Sequence, residues 1–277
     1  MSVGVYQDWI GREQQAEDEV NLMSLGALAA TLGHVEPGAN EPVPPCGHWL
    51  LFNRMVPAGE LGSDGHARRG DFLPPVELPR RMWAGSRVCL HAPLYPGDAV
   101  SRRTSIEAIT EKTGRNGALV FVYLRHRIFR GATLVVEEEQ DIVYRELASG
   151  ALHTSRADHA PQWSRTLEVD PILLFRYSAL TCNSHRIHYD RDYAIGVEGY
   201  DNLVVQGPLT ATLLMDLLRA ALPDVQIAAF DFRGVRPVLA GTSLRLCGTH
   251  SVDTATLWVE DEQGYVAMRA TANLQNH

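Results

Sequence analysis

Gly207-Pro208-Leu209-Thr210-Ala211-Thr212-Leu213-Leu214-Met215-Asp216-Leu217-Leu218-Arg219-Ala220-Ala221 is the stretch on which the fold turns. Leu209, Leu213, Leu214, Leu217, Leu218 and Ala221 recur at the three- and four-residue spacing of a helix. Pro208 suits the first helical position, where its missing N–H costs nothing. Apolar residues cover much of the circumference. That fits a helix wrapped by a sheet better than one lying on a surface.

A second helix of the same kind is expected in the first half, where Leu22, Leu25, Leu28, Ala29 and Leu32 keep helical spacing. Asp18 and Glu19 stand at its expected start and Gly33 at its C-terminal cap. Strand signals follow both helices. Residues 119–129 and 132–144 are rich in β-branched and aromatic residues, with Gly131 as the hairpin turn. Residues 226–233, 242–250, 254–260 and 265–273 form a second set, with 261–264 as a turn. Pro93-Leu94-Tyr95-Pro96-Gly97-Asp98-Ala99-Val100 can be laid over Pro237-Val238-Leu239-Ala240-Gly241-Thr242-Ser243-Leu244 with Pro and Gly in register. Together with the helix-then-strands order of both halves, this points to duplication. The expected organisation is an N-terminal half over 1–146, a linker over 147–170, and a C-terminal half over 171–277. The proline-rich stretch from Pro37 to about Pro75 is expected to be a lid or ligand-facing loop.

Composition excludes several function classes. With 45% hydrophobic and 21% charged residues the chain can build a large core. A net charge of −8 argues against nucleic acid as the main partner, because phosphate binding needs clustered positive charge. No apolar run approaches the ~20 residues of a membrane-spanning helix, and the N-terminus lacks the apolar segment of a secretory signal. The scattered Cys46, Cys89, Cys182 and Cys247 form no C-x-x-C pair. Reduced thiols in a cytoplasmic protein are expected, rather than zinc or a disulfide framework.

The densest polar cluster, Phe175-Arg176-Tyr177-Ser178-Ala179-Leu180-Thr181-Cys182-Asn183-Ser184-His185-Arg186-Ile187-His188-Tyr189-Asp190, precedes the Gly207 helix. Acid–base chemistry needs a group that moves protons, and a reaction that builds negative charge needs donors that hold it. A histidine suits the first task, and an unpaired N–H at a helix start, as at Gly207, suits the second. His185, His188 and Asp190 also form a weak His-x-x-His-x-Asp pattern, but with no further ligand cluster no metal is expected.

This segment resembles the MaoC-like hydratase and dehydratase family, whose motif is Asp-x-Asn-Pro-x-His. Asn183 falls at the Asp position, His185 at the Asn, Arg186 at the Pro and His188 at the His. An amide cannot act as a general base, so Asn183 departs from the pattern. Asn183 to Asp190, Val205 to Thr210, Gly62-Ser63-Asp64-Gly65-His66, Phe72 to Pro75 and Arg80 to Gly85 resemble one branch. That branch holds itaconyl-CoA and mesaconyl-C4-CoA hydratases and mitochondrial-type 3-hydroxyacyl-thioester dehydratases. The resemblance covers about Trp9 to Leu274.

The resemblance implies an α+β double hotdog, two central helices each wrapped by half of a continuous antiparallel sheet. It also implies a degenerate, substrate-binding N-terminal half. His188 is then the acid–base residue, Asn183 orients water or the carbonyl, and Gly207 supplies the oxyanion N–H. The substrate is an acyl-CoA thioester with no separate cofactor, and a homodimer is left open. A short dicarboxylic acyl group would need a cation for its free carboxylate, with Arg186, Arg54 and Arg81 as candidates. The rival readings are a dehydratase of longer 3-hydroxyacyl thioesters and an inactive acyl-CoA binding module.

Overall fold

Ten strands join edge to edge into one sheet, and two apolar helices supply the elements it wraps. The computed structural model describes residues 4–114, 117–147 and 154–275. Strands β1 (Glu13–Glu19), β2 (Arg80–Leu90), β3 (Ala99–Gly114), β4 (Gly117–Arg130) and β5 (Thr133–Arg145) come from the first half. The second half supplies β6 (Trp163–Glu168), β7 (Gln226–Gly234), β8 (Ser243–His250), β9 (Thr254–Glu260) and β10 (Val266–Gln275). Their order is β1-β3-β4-β5-β2-β7-β10-β9-β8-β6, and every strand pairing among the described residues is antiparallel. The helices are α1 (Leu22–Leu32), α2 (Pro171–Leu180), α3 (Arg191–Gly196) and α4 (Gly207–Ala221). This is the expected double hotdog.

The halves meet where β2 pairs with β7, Gly85 opposite Arg233 and Val88 opposite Phe230. A Cβ on Gly85 would stand 2.3 Å from the Phe232 carbonyl oxygen, a collision of backbone that no rotamer relieves. Glycine lets the two half-sheets close there.

Helix α4 is buried along nearly its whole length, from Leu209 to Leu218, and packs against β8, β9, β10, β6 and β2. Burying each of its leucines contributes about 1.5–3 kcal/mol. Asp216 is the polar exception, and it is paired on both oxygens, by His34 at 2.6 Å and Arg165 at 2.7 Å. Helix α1 begins at an Asn21 cap and ends in Gly33 at φ +81°. It packs chiefly on α2 and the 3-10 turn at Gly47–Leu50, so its hold on the first half-sheet is looser than that of α4 on the second. Among the described residues no helix is long and apolar enough to cross a membrane.

Several boundaries differ from expectation. Asp18 and Glu19 end β1 and do not begin α1, whose first turn is capped by Asn21 accepting from the Ser24 N–H. Strand β6 lies inside the stretch expected to be linker, paired with β8 from Trp163–Gly248 to Glu168–Ser243. Residues 148–153 of that stretch lie outside the described residues.

Candidate active site

One cavity of about 680 Å³ runs between the halves. The C-terminal half lines it with Tyr177, Asn183, His185, His188, Gln206 and Gly207. The first half adds His48, Trp49 and His66 from the proline-rich stretch, as a ligand-facing loop should, and Arg81, Trp83, Arg102, His126, Glu138 and Gln140 from the sheet.

The segment after α2 turns sharply, with Cys182 at φ +49° and the Asn183 N–H bonded to the Ser178 carbonyl. The Asn183 Oδ1 accepts from the His185 N–H at 3.1 Å, holding the turn. Its acceptor is therefore committed to the loop, and the amide N–H groups are what Asn183 offers the cavity. A 3-10 turn at Arg186–His188 then places His188 in the wall. The His188 Nδ1 lies 2.6 Å from the Val204 carbonyl, so Nδ1 carries the proton and Nε2 keeps its lone pair. His188 is buried. That burial, reinforced by repulsion from His185 and His66 and opposed by the Val204 bond, pushes its pKa down to about 3. It is neutral at neutral pH, a base and not an imidazolium.

Gln206 caps α4 from the extended region, φ −61° and ψ 132°, and its side-chain amide donates to the Leu174 carbonyl at 2.9 Å and Ser178 Oγ at 2.8 Å. This ties α2 to the start of α4. The Gly207 N–H lines up at that start without a protein acceptor among the described residues. A helix N-terminus carries unpaired donors and partial positive charge, which suits a developing oxyanion.

His66, to which the sequence assigned no role, completes the wall. The loop over Gly62–His66 docks on the catalytic segment so closely that a Cβ on Gly65 would stand 2.0 Å from the Ser184 oxygen. The Arg186 N–H donates to the Asp64 carbonyl at 2.9 Å. On this loop His66 Nδ1 meets Asp64 Oδ2 at 3.1 Å. Its ring lies 4.2 Å from that of His185, which in turn meets His188 edge-on at 5.4 Å. His185 Nε2 bonds Glu198 at 3.2 Å, and Arg80 backs Glu198 at 3.7 Å. Burial, Arg81 and His185 press the His66 pKa down to about 3, against the pull of Asp64. Burial alone would raise Asp64, but the bonds and charge of His66, with Arg81, hold its carboxyl well below the usual range. The Asp-x-His spacing was visible, but its meaning depended on docking against the other half.

The arginine expectations divide. Arg186 is spent on Asp190 at 2.7 Å, on the Ser63 carbonyl at 3.1 Å and on the Tyr193 ring at 4.2 Å, and it does not line the cavity. It staples the Gly62–His66 loop to the catalytic segment. Arg54 is exposed and also off the lining. Arg81 lines the cavity close enough to influence both Asp64 and His66. Asp190 caps α3 and pairs with Arg186, so the His-x-x-His-x-Asp pattern does not converge. A different trio, Asp64, His66 and His185, has ligand atoms within 4.8 Å of one another and could hold an ion. However, His66 and His185 already hydrogen-bond Asp64 and Glu198, and Arg81 opposes a second cation.

Over 279 aligned residues the chain is 43% identical to the mesaconyl-C(4)-CoA hydratase of Chloroflexus aurantiacus, covering 99% of each chain. It is 29% identical over 239 residues to the mitochondrial hydroxyacyl-thioester dehydratase type 2 of Schizosaccharomyces pombe, covering 77% of this chain and 79% of that one. In fold it resembles a MaoC-like dehydratase from Phytophthora capsici, with a TM-score of 0.74 at 14% identity over 99% and 98% of the two chains. HtdX from Mycobacterium tuberculosis gives a TM-score of 0.69 at 19% identity over 94% and 98%. The model of hydroxyacyl-thioester dehydratase type 2 matches residues 46–240, and the chain belongs to that family.

Proposed function

We propose that the protein hydrates a short, branched, unsaturated dicarboxylic acyl-CoA, adding water reversibly to mesaconyl-C4-CoA or itaconyl-CoA to give citramalyl-CoA. The observation that carries this reading is the polarity of the cavity's arm in the first half. Thr104 pairs with His126 and His126 with Glu138 across β3, β4 and β5, so their side chains share one face of the sheet. Glu138 is buried there, accepting from Ser86 at 2.6 Å, Trp49 at 3.0 Å and His48 at 3.2 Å. Burial opposes its ionisation, but His48, His126 and Ser86 outweigh it and hold the pKa at about 2. A long alkyl chain laid on this belt would strip water from Arg102 and Gln140 without replacing its hydrogen bonds. A short polar acyl group would not. The end-to-end likeness to a mesaconyl-C(4)-CoA hydratase supports the same substrate class.

Oxygen of a bound water attacks the β-carbon while His188 Nε2 takes one of its protons. With mesaconyl-C4-CoA, whose double bond is conjugated to the thioester, the electron pair moves to the thioester oxygen, held by the Gly207 N–H, and the proton then passes from His188 to the α-carbon; with itaconyl-CoA the proton would go to the terminal methylene instead. CoA enters as part of the substrate, and no separate cofactor is required. The four free thiols suit a reducing compartment such as the cytoplasm.

Of the three arginines named from the sequence only Arg81 lines the cavity, and it is our candidate for the substrate's free carboxylate. The test is kcat/KM over a panel of mesaconyl-C4-CoA, itaconyl-CoA, crotonyl-CoA and a long-chain 3-hydroxyacyl-CoA. The dicarboxylic substrates should lead. Arg81→Met should reduce kcat/KM for them by ~10–10²-fold, the worth of one charged hydrogen bond, and change crotonyl-CoA little. Preference for the long-chain substrate would favour the fatty-acyl dehydratase reading instead.

A further inference from the structure

Asn183 leaves the site one proton acceptor short of a carboxylate–histidine pair, and the first half offers a replacement. His66 Nδ1 is held by Asp64, so that nitrogen carries the proton and Nε2 keeps a lone pair. No group among the described residues engages that nitrogen. The His66 side chain is 25% exposed, against 6% for His185, and it lines the same cavity as His188, Asn183 and Gly207. His185 cannot serve as readily, because it is sandwiched between the other two rings and tied to Glu198. Asp64 holds the imidazole in one tautomer and orientation, as the buried acid of a catalytic triad does for its histidine.

We propose that His66, oriented by Asp64, is a second catalytic residue whose Nε2 accepts a hydrogen bond from the attacking water, the place of the carboxylate missing at Asn183. This rests on the hydratase reading. His188 removes one proton of the water and His66 holds the other O–H, which remains on the product as its hydroxyl. One C–O bond and one C–H bond form, one O–H bond of water and the π bond of the carbon–carbon double bond break, and no proton is left on the enzyme. The site is therefore composite: each half of the chain contributes one imidazole from a loop or turn, and the Gly65–Ser184 approach keeps them together.

The experiment measures hydration of mesaconyl-C4-CoA by wild type, His66→Ala and Asp64→Asn, with melting temperatures alongside. His66→Ala should lose ~10–10²-fold in kcat with KM changed less than about threefold. Imidazole added to the buffer should restore part of that loss, which it would not do for a purely structural residue. Asp64→Asn, nearly isosteric, should lower kcat by a smaller factor even if His66→Ala proves unstable. A kcat within about threefold of wild type in both variants would overturn the proposal. So would a loss confined to KM, or one that imidazole does not rescue. Wild-type protein that hydrates no member of the panel would instead overturn the hydratase reading and take this proposal with it.

Discussion

Replacing His188 by alanine should lower turnover by about 10²–10⁴-fold, the usual worth of a general acid–base group. The geometry supports an effect of that size because His188 alone combines a fixed tautomer, set by the 2.6 Å bond to Val204, with a place beside the Gly207 helix start. The variant should stay folded. The Val204 carbonyl loses its donor, which costs about 1–3 kcal/mol, a lowered melting temperature and not a lost fold. Near wild-type turnover would remove His188 from the mechanism. The pH profile carries a second reading of the same residue. His188 works as a neutral base, so activity is lost as pH falls through its folded pKa of about 3. The kcat/KM should therefore be flat where an ordinary histidine, near 6.5, would titrate. Stability has its own window. The folded pKa lies below the unfolded value, so the unfolded chain binds the proton first. Stability is held above ~6.5 and declines as pH drops toward 3. An acid limb in kcat/KM centred near 6.5 would contradict a buried, neutral His188.

Gly207→Pro should cost ~10²–10³-fold in kcat, the effect of removing one oxyanion donor. The substitution deletes the N–H. Position 207 opens α4, where proline fits, and the extended Gln206, φ −61° and ψ 132°, already has the backbone that a following proline demands. Apart from its chain neighbours Gln206 and Pro208, a Cβ at 207 meets the Trp83 carbonyl oxygen, at an ordinary 3.7 Å. The melting temperature should move little while kcat falls and KM changes less. A Gly207→Pro variant with intact kcat would place the oxyanion donor elsewhere.

Helix α4 and the hairpin of β4 and β5 were legible because their burial is strong and local, so spacing alone exposes it. Strands β1 and β6 were not. Glu13–Glu19 is almost wholly polar because it is a sheet edge, paired on one side by β3 and exposed on nearly every residue. An edge strand kept charged resists pairing with another chain, and so looks like loop. β6 alternates strictly in burial, but its inward face mixes Arg165 with Trp163 and Leu167, so the period is masked in the sequence, and it hid between prolines. The site divides in the same way. His188 and Gly207 stand in one contiguous segment and could be read from it. His66 and Asp64 come from the other half, and only the close approach of Gly65 to Ser184 gives them a role. Arg186 was misjudged although the sequence held the answer, since Asp190 lies four residues on, at the spacing of a local ion pair.

The central claim is that this cavity adds water across a carbon–carbon double bond and leaves the thioester intact. It is tested most directly by incubating the wild-type protein with mesaconyl-C4-CoA in ¹⁸O-labelled water and reading the products by mass. The account predicts an acyl-CoA heavier by one labelled water, with the label in a hydroxyl on the acyl chain and no free CoA. Unchanged substrate, or free CoA with the label in a released carboxylate, would contradict it.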